Sequence, residues 1–227
     1  MEKGNENNMH ERSAGTGSVM LAVPQILQNP ELPNGCEITS CCEVLQFLGF
    51  PAEKCELAYR YLPRSETWYG ADPDRVYMGD PGREDDTPQC GFYCFAGPVV
   101  QAANSYISDC MASGKYAPAA DGQTAVKAVD ITGAGQGELE AHLLAGRPFI
   151  FWASLHFDDI RFDPRGGFTL PDGRRHRLFN QLHCMVCKGM DDGYYYLADP
   201  LDFNERVPKE RFMEVYRQLG QRAVVFL

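Results

Sequence analysis

The chain predicts an α+β fold, with an N-terminal helical half packed on a C-terminal antiparallel sheet. Apolar residues recur at helical spacing mainly before about residue 125, and short β-rich runs bounded by turn residues crowd the chain after it. The runs follow the helices instead of alternating with them, which separates this pattern from a parallel α/β protein.

Each element has a local reason. Residues 1–18 are polar with no apolar stretch and read as a disordered tail. Leu21 to Gln28 reads as an extended lead-in to a Pro33-Asn34-Gly35 turn. From Cys36 to Leu48, Ile38, Cys41, Cys42, Leu45 and Leu48 form the stripe of an amphipathic helix, with Gly49 as its terminator. Residues 52–62 predict a second helix through Leu57, Ala58 and Tyr61. Residues 63–97 are rich in Pro, Gly, Asp and aromatics, and a loop this long in a compact domain is usually functional. Residues 99–113 predict a helix closed by Gly114, and residues 137–145 another closed by Gly146. Strands are expected at 126–131, 148–155, 181–188, 194–198 and 223–226.

Composition bounds the partners. With 227 residues, 44% of them hydrophobic and 23% charged, the chain can bury one sizeable core. A net charge of −10 argues against nucleic-acid or anionic-membrane partners, which require basic patches. The one basic cluster, Arg174-Arg175-His176-Arg177, follows Pro171-Asp172-Gly173 and reads as a solvated hairpin tip. No run approaches the roughly 20 apolar residues of a membrane helix, so no membrane insertion is expected. No secretory signal is visible, which gives the cytoplasm as the expected location, or export if a signal segment has been removed. Nine cysteines, with Cys41 and Cys42 adjacent, favour mostly buried free thiols in a reducing environment. The sequence assigns no oligomeric state.

The chemistry centres on cysteine. Cys36 stands where a turn meets a helix, and the positive end of a helix dipole favours the nucleophilic thiolate. Such a thiol needs a base, a group to orient that base and donors for an oxyanion. His183 lies in the apolar run Leu182 to Cys187, and Asp199 ends the following strand. A three-residue loop at Asp191-Asp192-Gly193, with Gly193 left-handed, would pair Met190 with Tyr194 and, further along, Met185 with Asp199. That register puts His183 and Asp199 on one face, one diagonal apart and within reach. Asp199 would then fix the imidazole tautomer. The Cys36 amide is one expected oxyanion donor and the Gln28 side chain the other, with Gln25 as alternate.

Competing motifs are weaker. Cys184 and Cys187 have the spacing of a metal knuckle, but three residues apart on a strand they face opposite ways. Cys90-x-x-x-Cys94 has no partner pair at a recognisable spacing. His156-Phe157-Asp158-Asp159 could offer another base or a cation site, and reads better as the polar end of the 148–155 strand. No G-x-S-x-G, Walker, H-E-x-x-H or dinucleotide motif occurs.

Gln28-Asn29-Pro30-Glu31-Leu32-Pro33-Asn34-Gly35-Cys36-Glu37 resembles the opening of stand-alone proteins similar to the double-glycine (bacteriocin-leader) peptidases, family thirty-nine of the cysteine peptidases. Met78-Gly79-Asp80-Pro81, Gly91-Phe92-Tyr93, Val99 to Asn104, Asp130 to Gly133, Gly146-Arg147-Pro148, His183 and Asp199-Pro200 continue the resemblance in order. It implies a papain-like peptidase domain over 19–227, with a helical half to about 125 and a sheet half beyond. It also implies Cys36 as nucleophile, His183 as base, Asp199 as orienter and Gln28 as oxyanion donor. The Gln-to-Cys spacing of eight is longer than in papain-type enzymes. Without an attached transporter, leader removal coupled to bacteriocin export is not implied. The expected activity is hydrolysis of a peptide or isopeptide bond in a peptide or protein substrate, with no metal or organic cofactor. The alternatives are a catalytically silent domain that binds peptide or cell-wall material, and a transglutaminase-like acyltransferase.

Overall fold

A computed structural model describes residues 17–116 and 126–227. The expected disordered tail lies outside these residues except for Gly17 and Ser18. Seven strands form one antiparallel sheet: β1 (Val19–Met20), β2 (Ala128–Asp130), β3 (Phe149–Ser154), β6 (Leu182–Met190), β7 (Tyr194–Ala198), β8 (Arg206–Pro208) and β9 (Ala223–Phe226). Their order is β2-β9-β3-β6-β7-β8, and β1 pairs with the far end of β6. Strands β4 (Arg161–Thr169) and β5 (Arg175–Asn180) make a separate hairpin. The mixed helical and antiparallel architecture is the one the sequence predicts.

The sheet separates two apolar cores, as strand alternation requires. Ile150, Trp152, Cys184 and Val186 join the core that holds α1 (Cys36–Phe47) and α3 (Ala96–Ala112). Phe149, Phe151, Met185 and Cys187 join the core beneath α4 (Gln136–Leu144) and α5 (Lys209–Gln218). Cys184 and Cys187 do face opposite sides. Among the described residues, no helix is long and apolar enough to cross a membrane.

Helix α1 departs from the amphipathic reading. Every residue from Cys36 to Leu45 is buried, including Glu37, Thr39, Ser40 and Glu43, because the sheet, α3 and the long loop enclose it. Buried polar groups need partners, and Ser40 finds one in the Cys184 carbonyl at 3.2 Å. Gly49 closes the helix at φ +88°, as expected. The predicted 52–62 helix is a short α2 (Lys54–Glu56) that widens into a π-helical turn at Leu57–Tyr61, where the Leu62 N–H reaches the Leu57 carbonyl.

The β6–β7 register corrects the predicted hairpin. Gly193 is not left-handed. Asp191 Oδ1 instead accepts the backbone N–H groups of Gly193 and Tyr194, both at 2.8 Å, and Met190 pairs with Tyr195, not Tyr194. A bulge between Cys187 and Gly189 then restores the expected alignment, with Val186 opposite Ala198. The basic cluster lies at the tip of the β4–β5 hairpin with Arg174, Arg175 and Arg177 exposed, as expected; Arg174 pairs with Asp72, Asp74 and Asp172, and only half-buried His176 packs inward, among Tyr93, Phe95 and Phe168. Helix α5 and strand β8 had no counterpart in the sequence reading.

Candidate active site

Cys36 is the first residue of α1, and the preceding turn fixes where the helix starts. A Cβ at Gly35 would stand 2.6 Å from the Leu32 Cβ, so glycine is required. The turn is held from outside. The Asn34 amide group donates to the Arg83 carbonyl at 2.8 Å, the Asn34 N–H to the Pro81 carbonyl, and the Tyr77 hydroxyl to the Asn34 carbonyl. Gly79, at φ +85°, lets this loop fold close against Cys90, whose carbonyl would lie 2.1 Å from a Cβ there.

His183 sits near the start of β6, opposite the small Ala153 of β3. Its Nε2 lies 2.6 Å from Asp199 Oδ1, with both side chains almost fully buried. This is the diagonal contact the sequence predicts, reached through the bulged register. Asp199 is itself held by the Leu201 N–H at 2.8 Å, and on Oδ2 by the Asn204 backbone and side-chain amides at 3.0 and 2.6 Å. Burial alone would raise its carboxyl. The His183 hydrogen bond and charge, with the Leu201 and Asn204 donors, hold it below the usual range. With Nε2–H given to Asp199, Nδ1 is the nitrogen left to act as a base.

Cys36 shares a core with Cys184, the residue after His183, and its one hydrogen bond to another side chain among the described residues goes to Glu37 and not to His183. The backbone N–H of Cys184, next to His183, draws its thiol toward ionisation, while the Asp199 charge is near enough to oppose that. The balance is against the thiolate. Burial first, then the neighbouring Glu37 carboxylate, push the thiol well above its ordinary value, contrary to what the helix dipole alone predicts. The Cys36 thiol donates to Glu37 Oε2 at 3.3 Å, and Glu37 Oε1 accepts the Cys94 N–H at 3.0 Å.

The two glutamines are placed differently. Gln28 is buried, donates through Nε2 to the Pro33 carbonyl at 2.5 Å, and leaves Oε1 without a partner among the described residues. It therefore braces the turn that delivers Cys36. Exposed Gln25 bonds the main-chain carbonyl of Asp199 and holds the lead-in segment against it. His156 is exposed, with its ring against Phe203, in the turn after β3. Glu37 and Asn204 were missed in the sequence. The signal for Glu37 was its position beside the cysteine, and Asn204 carried only its place shortly after Asp199-Pro200.

A cleft of about 260 Å³ opens next to the site, and Cys36, His183 and Asp199 do not line it. Asn34, two residues before Cys36, and Leu182, one before His183, line it with Phe92, Tyr93 and Phe179. Phe92 stacks on Trp68 at 4.9 Å, and Arg165, held by Asp163, covers the Phe92 ring at 4.7 Å. All nine thiols are free, and all but Cys55 and Cys90 are buried. Among the described residues no three His, Cys, Asp or Glu side chains cluster as a metal would need.

The chain is 27% identical to the uncharacterized protein YvpB of Bacillus subtilis strain 168 over 200 residues, 86% of this chain and 70% of that one. A crystal structure of a candidate C39-like peptidase from Bacillus anthracis superimposes with a TM-score of 0.74 at 27% identity, covering 93% of this chain and 98% of that one. Xylellain, a cysteine protease from Xylella fastidiosa, aligns over 92% of this chain and 85% of its own at 16% identity, with a TM-score of only 0.46. The model of the Peptidase_C39 like family matches residues 20–224. From Met20 to Val224, therefore, this chain belongs to the Peptidase_C39 like family.

Proposed function

We propose that the chain is a cysteine peptidase that hydrolyses a peptide or isopeptide bond through Cys36, His183 and Asp199. The observation that carries this reading is the buried 2.6 Å His183–Asp199 bond, with His183 on the strand that accepts the Ser40 hydroxyl of the helix Cys36 opens. In this mechanism His183 Nδ1 takes the thiol proton as Cys36 sulfur attacks the scissile carbonyl. The tetrahedral oxyanion is met by the Cys36 N–H, one of the free donors at a helix start, and by the second amide hydrogen of Gln28. Imidazolium then protonates the leaving amine. Water, deprotonated by the same nitrogen, releases the acyl group. No step calls for a metal or an organic cofactor. The cleft beside Asn34 and Leu182 takes the substrate chain against Phe92 and Tyr93.

The test is digestion of a defined peptide mixture, with new termini read by mass spectrometry. Cleavage by the native chain that is absent in Cys36→Ser supports the reading. Equal cleavage by both proteins overturns it. Added amine captured in place of water would point to the acyltransferase alternative.

A further inference from the structure

Glu37 is a carboxylic acid with no place in the mechanism above, yet it is the side chain that holds the nucleophile. It is fully buried in the first turn of α1. One oxygen receives the Cys36 thiol and the other the N–H of Cys94, at the end of the loop that carries Phe92 and Tyr93. The Trp152 indole N–H fixes the Cys94 carbonyl at 2.9 Å, so this anchor is itself tied to the centre of the sheet. Besides Cys36, the titratable groups that face Glu37 are Cys94, Cys184 of β6, and Tyr77 and Tyr93 of the long loop.

A carboxyl in that position acts in two opposite ways. Ionised, it accepts the thiol proton and repels a thiolate. Protonated, it can turn its O–H to the sulfur and stabilise the thiolate once His183 has taken the proton. We propose that Glu37 is a positioning residue whose protonation state gates the nucleophile, with Cys36 competent when Glu37 is protonated and restrained when it is ionised. This deepens the peptidase reading and rests on Cys36 being the nucleophile. Burial raises Glu37 to about 7, against the pull of its own and the Cys94 N–H groups and of the Cys36 thiol, so the gate works across neutral pH. No covalent step is involved; one proton moves between Glu37 and solvent.

The test is the rate of Cys36 alkylation by iodoacetamide, followed by peptide mass spectrometry from pH 5.5 to 8.5. Glu37→Gln keeps an acceptor for the Cys94 N–H and places a permanent donor at the sulfur. The ratio of the variant rate to the native rate should start near one at acid pH. It should rise to about tenfold or more at pH 8.5, since a like charge this close moves a pKa by about 1–3 units. A ratio that does not change with pH overturns the proposal. A native rate indifferent to His183→Ala would count against the hydrolase reading instead. If Glu37→Gln does not fold, ¹³C NMR of the Glu37 carboxyl decides. A midpoint near 7 that rises in Cys36→Ala supports the gate, because the thiol bond lowers it. A midpoint at the ordinary 4.5 overturns it.

Discussion

Asp199 shows how much a buried carboxylate depends on the donors around it. It would be an unfavourable buried carboxylate without four donors: His183 Nε2, the Leu201 N–H and both Asn204 amides. Asp199→Ala should therefore lower kcat about 10²-fold with little change in KM, because the imidazole loses its orientation and not its contact with substrate. Asn204→Ala should act in the same direction by about tenfold, and steady-state kinetics on any cleaved peptide checks both. Glu43 makes a different prediction. It is buried and held near 8, mainly by burial, with one oxygen on the Ile26 N–H and the other without a partner among the described residues. The folded chain thus keeps a proton that the unfolded chain releases above about 4.5. This stability is fully present below that value and is lost as pH rises toward 8. Glu37 adds the same sign up to about 7. Urea denaturation should show a loss of a few kcal/mol between pH 5 and 8, and Glu43→Gln should remove much of that slope.

At the scale of elements, the lead-in turn, α1 and β6 position the chemistry. The turn was legible because Pro33, Asn34 and Gly35 are turn residues for separate physical reasons. The burial of α1 on all sides was not, because its polar residues form a second stripe that mimics a solvated face. Only the enclosing loop, hydrogen-bonded to Asn34 and Glu37, shows why that face is covered. The β6–β7 register was right at the site and wrong at the turn. The two differ by one bulge, and a bulge has no signature in strand alternation. Helix α5 was hidden by its charge, although Phe212, Met213, Val215 and Tyr216 have the spacing of a buried face. Gly35→Ala tests the turn. Its Cβ meets Leu32, so the variant should lose about 1–3 kcal/mol in urea denaturation and lose Cys36 reactivity out of proportion to that cost.

At the scale of the whole molecule, one sheet carries two cores, and the site lies where the turn, the loop and the sheet meet. The order helices-then-strands was enough to read the architecture. Cys36, His183 and Asp199 stand out in the sequence because a thiol, an imidazole and a carboxylate have few uses in that order, and the structure joins the last two. What chain order could not convey was the electrostatics. The helix dipole favours a thiolate, but burial and Glu37 favour the thiol, and only three-dimensional packing shows that the second pair prevails. Cys36 is buried like six of the other eight cysteines, and only Cys55 and Cys90 are more open. The most direct measurement is labelling of the native chain with a limiting amount of an electrophilic epoxide peptide, mapped over all nine cysteines by mass spectrometry. One equivalent on Cys36, lost in His183→Ala while the fold is kept, is the result expected of a Cys–His–Asp peptidase. Label spread over Cys55 and Cys90 with Cys36 untouched, or Cys36 labelled equally without His183, would contradict it.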